Sequence, residues 1–386
     1  MIYLDAASTA KYTNIDDIIV NTMVEAMRDS WMNPSSLYAA GVKDKINKCR
    51  VNIAKFINAK PEEIIFTSGA SESNNMALRG WDDEIWLTTY KKSNIITTPI
   101  EHKSILELLE NGNLGSVVHY CDVDKFGNVD YESLENMLKR FHSKSEPVLV
   151  SIQMANNEIG TWQDIRSIAK LVHKYNGILH TDATQCLGHI DIDVENLDVD
   201  LMSCSGHKIS PVLRGIGFLY KKNGINIQPI IYGAQESGLR GGTENTYGII
   251  GLSKALEHCY INNDTVDEMC EKRDYFIDIL EYKFGCKLNG DGWNRLPNNV
   301  NVTFPQNITG ESLLYMLDMS GVKCGVGSAC NSKSIKPSYV LKAIGLSDED
   351  AMRTMRFTLP EDITHEDIRC VIKEIEKAIK LIEMES

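Results

Sequence analysis

Positive charge is scarce beside negative charge in this chain. Lys and Arg number 40 against 53 Asp and Glu, a net charge of −13. That balance argues against non-specific nucleic-acid binding, which needs a basic face to neutralise phosphates; a local basic patch stays compatible with it. Long apolar runs are missing too. No stretch approaches the roughly 18–20 apolar residues of a membrane span. The opening MIYLDAASTA has no basic segment followed by an apolar one, so a signal peptide is not expected and the cytoplasm is the expected compartment. Cysteine is thin: ten residues at irregular spacings in 386, too sparse for a disulfide scaffold. Cys324 and Cys330 lie close together without making a C-x-x-C pair, and no zinc-like cluster is visible. Most of these thiols read as small buried hydrophobes. Repeats, low-complexity tracts and flexible linkers are also lacking.

What is present is ordinary globular material. A hydrophobic fraction of 43% and a charged fraction of 24% suit a soluble protein with a large core. The length favours two domains. Strands and helices alternate: short apolar runs at Ile64 to Thr67, Asn94 to Thr98, Pro147 to Gln153, Gly177 to Asp182, Val199 to Cys204 and Gly217 to Tyr220 read as strands. Gln163 to Tyr175 has helical periodicity. Repeated strand–helix–strand units imply a mostly parallel sheet covered on both faces, with ligands at the C-terminal strand ends. One long helix is expected from about Leu252 to Phe284. Strand candidates at Asn299 to Phe304 and Arg356 to Leu359 beyond it suggest a smaller α+β domain.

The polar motifs sit at those strand ends. Ser203-Cys204-Ser205-Gly206-His207-Lys208 puts a lysine among small polar residues, a setting for a Schiff base to a carbonyl cofactor. Ser205 and His207 are placed to bind a phosphate beside it. A lone lysine is usually a solvated surface residue; the motifs upstream weigh against that here. Asp182 fits the partner of a protonated pyridine nitrogen, although an isolated Asp is as often a helix cap or turn residue. Ser68-Gly69-Ala70-Ser71 is a strand-to-helix turn suited to phosphate, or a plain N-cap with Ser71 capping. His102 can stack on a planar ring and move protons. Gly- and Ser-rich Cys324 to Ser332 reads as a mobile loop, which favours a reactive thiol at Cys330.

Together these motifs resemble the cysteine desulfurases, the NifS/IscS-like branch of the class V aminotransferases. The resemblance runs from Tyr3-Leu4-Asp5-Ala6-Ala7-Ser8-Thr9 and Asn33-Pro34-Ser35-Ser36 through the SGASESNN turn and Glu101-His102-Lys103. It continues through Asn156-Asn157-Glu158-Ile159-Gly160, Asp182-Ala183-Thr184-Gln185 and SGHK ending at Lys208. Arg240-Gly241-Gly242-Thr243, GSAC ending at Cys330 and Arg356-Phe357-Thr358-Leu359 complete it. It implies an α/β protein of pyridoxal-phosphate fold type I, with a large mostly parallel domain over 15–258 and a smaller α+β domain from 1–14 and 259–386. It implies pyridoxal 5'-phosphate held by Ala70, Ser71, His102, Asp182, Gln185, Ser205, His207 and Lys208, with Thr243 reaching in from the other subunit of a homodimer. Asn157 and Arg356 would take the carboxylate of L-cysteine. Lys208 and His102 would serve the chemistry, and Cys330 would accept sulfur as a persulfide.

The chain departs from the family pattern in two places. Ile209-Ser210-Pro211-Val212-Leu213-Arg214-Gly215 lacks the usual Gly-Pro-Lys and is one residue longer. Ser237-Gly238 stands where Arg-Gly is common, and Gly241 where Ser is common, so a basic group is expected to be missing from the active-site mouth. The short stretch after the helix near Lys373 to Met384 leaves the sulfur acceptor open: an iron–sulfur scaffold, a tRNA-thiolation enzyme or another carrier. Two other activities stay open at this point, a different class V reaction (aminotransferase or selenocysteine lyase) and a catalytically silent scaffold.

Overall fold

The computed structural model describes residues 1–259, 263–305, 308–326, 328–331 and 334–385. Two sheets organise it. The first has seven strands in the order Ile64–Thr67, Gly217–Lys221, Leu201–Ser205, Ile178–Asp182, Val148–Ser151, Asn94–Thr97 and Val117–Tyr120. Gly217–Lys221 runs antiparallel to both neighbours, and the other pairings are parallel. Alternation along each strand supplies two cores, because successive side chains point to opposite faces. Ile65, Ile95, Leu149 and Leu201 pack under the helices Ala70–Thr89 and Lys103–Asn111, with Met76, Trp81 and Ile105. Ile64, Phe66, Ile96, Val150 and Met202 face the opposite layer, with Ile53, Leu134 and Ile168.

The second sheet has five strands in the order Ile2–Leu4, Val322–Val326, Thr354–Thr358, Asn299–Thr303 and Lys287–Leu288. The N-terminal strand pairs parallel with Val322–Val326; the rest is antiparallel. Phe276, from the helix Asn263–Phe284, meets Phe357 edge to face with ring centroids 5.2 Å apart. Burying two such rings supplies several kcal/mol, so Phe357→Ala would cost about 3–5 kcal/mol. The chain passes from the first strand through residues 5–12 into the helix Asn14–Asp29 on the larger unit. That crossing threads the N-terminal segment along the junction of the two sheets.

Two expectations need correction, and one strand was not anticipated. The stretch from Leu252 to Phe284 is not one helix: Thr246–His258 ends at Cys259, whose ψ of 101° is extended, and a second helix covers Asn263–Phe284. The Gly/Ser-rich segment is not simply a loop. Val322 and Cys324 alternate inward, which makes Val322–Val326 a core strand with Cys324 buried. Beyond it, Ser328–Asn331 and Ser334–Pro337 pair antiparallel, with Cys330 opposite Ile335. Finally, Val117–Tyr120 is an edge strand that escapes a search for buried apolar runs, because its outer residues are exposed.

Candidate active site

The C-terminal ends of the parallel strands open into a cleft of about 700 Å³. Its wall includes Ser71, His102, Asn157, Asp182, Gln185, Ser205, His207, Lys208 and Arg356, so nine residues separated by up to 285 positions in sequence converge there.

One end is an anion site. Gly69 precedes the helix Ala70–Thr89 with φ of +148°, a conformation that a side chain disfavours. No side chain caps this helix. Ser71 therefore lies inside the first turn, which sets aside the alternative of a plain N-cap with Ser71 capping. The first-turn N–H groups of Ala70 and Ser71 are left for a ligand, where the helix dipole favours negative charge. Ser205, His207 and Arg214 stand opposite. His207 is held by Thr9, whose Oγ1 lies 2.9 Å from its Nδ1. Burial, together with the nearby Lys208, Arg214 and His102, lowers its pKa to about 4, so it is neutral at physiological pH.

The middle of the cleft holds an acid, a base and an amine. Asp182 is buried; its Oδ2 accepts from Asn74 Nδ2 at 2.8 Å and its Oδ1 from the Thr184 amide at 3.0 Å. His102 caps the helix Lys103–Asn111 and lines the cleft. Its Nδ1 accepts from the Ser104 amide at 3.1 Å, so the neutral ring keeps its proton on Nε2. Burial lowers its pKa, aided by Lys208 and Lys103 and opposed by Asp182. Lys208 Nζ donates to the Ala7 carbonyl, and to that of Ser8 at 2.8 Å. Burial and the Arg356 charge bring its pKa down to about 8, against the pull of Asp182 and Asp5. Gln185 Nε2 donates to the Ala7 carbonyl at 3.1 Å. Thr184 Oγ1 is buried with no partner among the described residues.

The far end is a carboxylate site. Arg356 Nη2 donates to Asp5 Oδ1 at 2.6 Å and Ser8 Oγ at 2.9 Å, and its Nη1 to the Asn157 carbonyl at 3.2 Å. These contacts fix a planar fork at the cleft wall, the geometry that suits a bidentate carboxylate.

One expected residue, Thr243, is absent from this cleft wall and is exposed. Another, Cys330, has its side chain outside the described part of the structure. The segment leading to it leaves the sheet beside the arginine, since Gly325 pairs with Arg356 across neighbouring strands. Residues that sequence reasoning passed over include Asp5, Asn74, Thr184 and Arg214. Arg214 also corrects the expected loss of a cation, because the longer 209–215 stretch presents it on the cleft wall. Gly241 has a steric reason: a Cβ there would come within 2.2 Å of the Tyr232 carbonyl oxygen. The neighbouring turn is tied down by Glu236, whose buried carboxylate meets Arg50 at 2.7 Å and the Phe66 amide at 2.9 Å.

An amine of lowered pKa, a buried acid and an uncapped helix N-terminus at the strand ends of an α/β sheet define a class. The chain belongs to the aminotransferase class-V family, whose model matches residues 2–371. Within that family it falls in the cysteine desulfurase branch. It is 41% identical to "Cysteine desulfurase IscS" of Dictyoglomus turgidum, covering 98% of this chain and 94% of the relative. Among solved structures, a "NIFS-LIKE PROTEIN" matches with a TM-score of 0.85 and 30% identity over 98% of this chain and 99% of the other. One described as "SspA in complex with cysteine" matches with a TM-score of 0.78 and 33% identity over 94% and 99%.

Proposed function

We propose that the protein is a homodimeric, pyridoxal-phosphate-dependent cysteine desulfurase of the cytoplasm that moves sulfur from L-cysteine to Cys330 and on to an acceptor protein. The observation that carries this reading is the convergence of Lys208, Asp182, His102 and Arg356 on one cleft beside an uncapped helix N-terminus. The domain division at 15–258 against 1–14 with 259–386 agrees with the two sheets, since the first strand joins the second of them.

The residues fit the cofactor. The N–H groups of Ala70 and Ser71, with Ser71, Ser205 and His207, suit its phosphate. Asp182 suits its pyridine nitrogen, Gln185 its ring hydroxyl, His102 its ring face and Lys208 its aldehyde carbon. The orphaned Thr184 hydroxyl marks a further polar group left for a ligand. When bound, the cofactor acts as an electron sink that acidifies the Cα–H of an amino acid attached to it.

The chain's own groups do the rest. Arg356 and Asn157 hold the substrate carboxylate, which fixes the Cα–H toward Lys208. Lys208, with a pKa near 8, takes and returns that proton close to neutral pH. His102, neutral at Nδ1 and protonated at Nε2, supplies a proton to the reacting region. The Cys330 thiolate attacks the substrate sulfur; an S–S bond forms as the Cβ–S bond breaks. Cysteine plus the Cys330 thiol thus gives alanine plus a Cys330 persulfide, with no outside oxidant.

Thr243, exposed and off this cleft, suits a role toward a second copy. Trp31, Leu37, Tyr38 and Tyr232 are 69%, 100%, 77% and 80% exposed. Large apolar side chains so exposed suit burial against a second copy. Among the described residues no helix is long and apolar enough to cross a membrane.

The test is to supply cofactor and L-cysteine, follow the absorbance band at roughly 390–420 nm expected of the bound cofactor, and measure alanine. The proposal predicts the band and stoichiometric sulfur release with alanine. A protein that stays colourless, or that colours but forms pyruvate or a keto acid instead of alanine, contradicts it.

A further inference from the structure

Both roots of the Cys330 segment are fastened to residues around Arg356. Upstream, Gly325 lies against the arginine: a Cβ there would stand 3.1 Å from Arg356 Nε and 3.3 Å from Asp5 Oδ1. The strand that leads to Cys330 therefore rests on the Arg356–Asp5 pair. Downstream, the ribbon strand Ser334–Pro337 runs straight into Ser338, which caps the short helix Tyr339–Ala343.

Ser338 has a defined hydrogen-bond inventory. Its Oγ accepts from the Val340 amide at 3.1 Å and the Leu341 amide at 3.3 Å. Those bonds occupy its lone pairs, so its one proton is free to be donated, and it goes to Glu158 Oε2. Glu158 adjoins Asn157, whose carbonyl holds Arg356. The Glu158 carbonyl is itself gripped by Asn299 Nδ2 and Asn301 Nδ2, both at 3.1 Å. Next to Ser338, the Tyr339 hydroxyl donates to the Glu101 carbonyl at 2.7 Å. Val340 and Leu341 pack on Ile100 and Ile159. Glu158 does not line the main cleft; it lines the adjoining hollow with Asn157, Arg356 and Cys324.

We propose that the Ser338–Glu158 hydrogen bond is a positioning device for sulfur transfer, registering the Cys330 segment against a substrate whose carboxylate Arg356 holds. The proposal rests on the reading of Cys330 as the sulfur acceptor. Glu158 and Ser338 touch neither substrate nor cofactor; they act through the ribbon. A displacement of about 1 Å in a reacting group costs up to about 100-fold in rate, which sets the size of the effect.

The experiment uses the full-length enzyme loaded with cofactor. Ser338→Ala and Glu158→Ala should each lower kcat for alanine formation about 10- to 100-fold, leave KM for cysteine within about twofold and keep the cofactor band. Glu158→Ala leaves the serine cap intact, so a shared defect separates the hydrogen bond from capping. The double variant should be no slower than the worse single one, because both remove one interaction. Ser338→Thr, which keeps the hydroxyl, should restore most of the rate. Wild-type kcat in Glu158→Ala, additive defects, a change in KM instead of kcat, or loss of the cofactor band would each overturn the proposal. Wild-type enzyme that makes alanine without any Cys330 persulfide overturns the underlying reading instead, and the proposal with it.

Discussion

Lys208 illustrates how placement alters a side chain. A free lysine stays protonated well past neutrality. Here burial and the Arg356 guanidinium bring its pKa to about 8, so about a tenth of it is neutral at pH 7. An amine must be neutral to attack a carbonyl. Cofactor capture by the stripped protein should therefore accelerate as pH rises and level off above about 8. Stopped-flow absorbance would show this; a rate still climbing near pH 10 would contradict the lowered pKa. Lys208, Asp182 and His102 were legible in the sequence because each sits in a short motif at a strand end. Asp5, Thr184 and Arg214 were not. Their significance depends on which atoms they face: Asp5 on the Arg356 fork, Thr184 as an unpartnered buried hydroxyl, and Arg214 on the wall left by a longer loop.

Among elements, the helix Ile165–Lys174 is tied to the sheet by its last turn. His173 Nδ1 lies 3.0 Å from Asp198 Oδ2 and its Nε2 lies 2.8 Å from Asp200 Oδ2. Asp200 also accepts from the Leu179 amide at 2.8 Å, at the start of the central strand. The hydrogen bond to Asp200 raises the His173 pKa above 6.5, partly offset by burial, with Asp200 and Asp198 charges adding to it. A raised folded pKa gives stability that is fully present below the unfolded value of 6.5 and lost as pH climbs through the folded value. His173→Gln should thus lower Tm more at about pH 6 than at about pH 8.5. Scanning calorimetry at both pH values would reveal it; an equal or larger deficit at the higher pH would contradict the pairing. That helix and the strands around it were readable from periodicity, because each is a long or wholly buried pattern. The break at Cys259 and the core strand Val322–Val326 were hidden. One is a single extended residue at the end of a helix in an otherwise helical composition, and the other an alternation masked by glycine and serine.

At the scale of the whole molecule, the N-terminal segment binds the two units together. Its carbonyls at Ala7 and Ser8 receive Lys208, its Thr9 holds His207, and its Asp5 and Ser8 hold Arg356. The cleft therefore needs both sheets and the strap between them, an arrangement that no local motif discloses. Exposed Trp31, Leu37, Tyr38 and Tyr232, and an exposed Thr243 that does not line this cleft, support the proposed two-copy working unit. Light scattering should give the mass of two chains, and Trp31→Glu with Leu37→Glu should shift it toward one. A wild-type monomer that retains full activity would remove the second copy from the account.

The central claim is that Cys330 receives the substrate's sulfur while Lys208 and its neighbours handle the amino acid. Mass spectrometry after one turnover with L-cysteine tests it most directly. The account predicts that the peptide bearing Cys330 gains the mass of one sulfur atom in step with alanine, and that Cys330→Ala keeps the cofactor band but gains no such mass and makes little alanine. Wild-type alanine formation by Cys330→Ala, or sulfur found on a different cysteine, would contradict it.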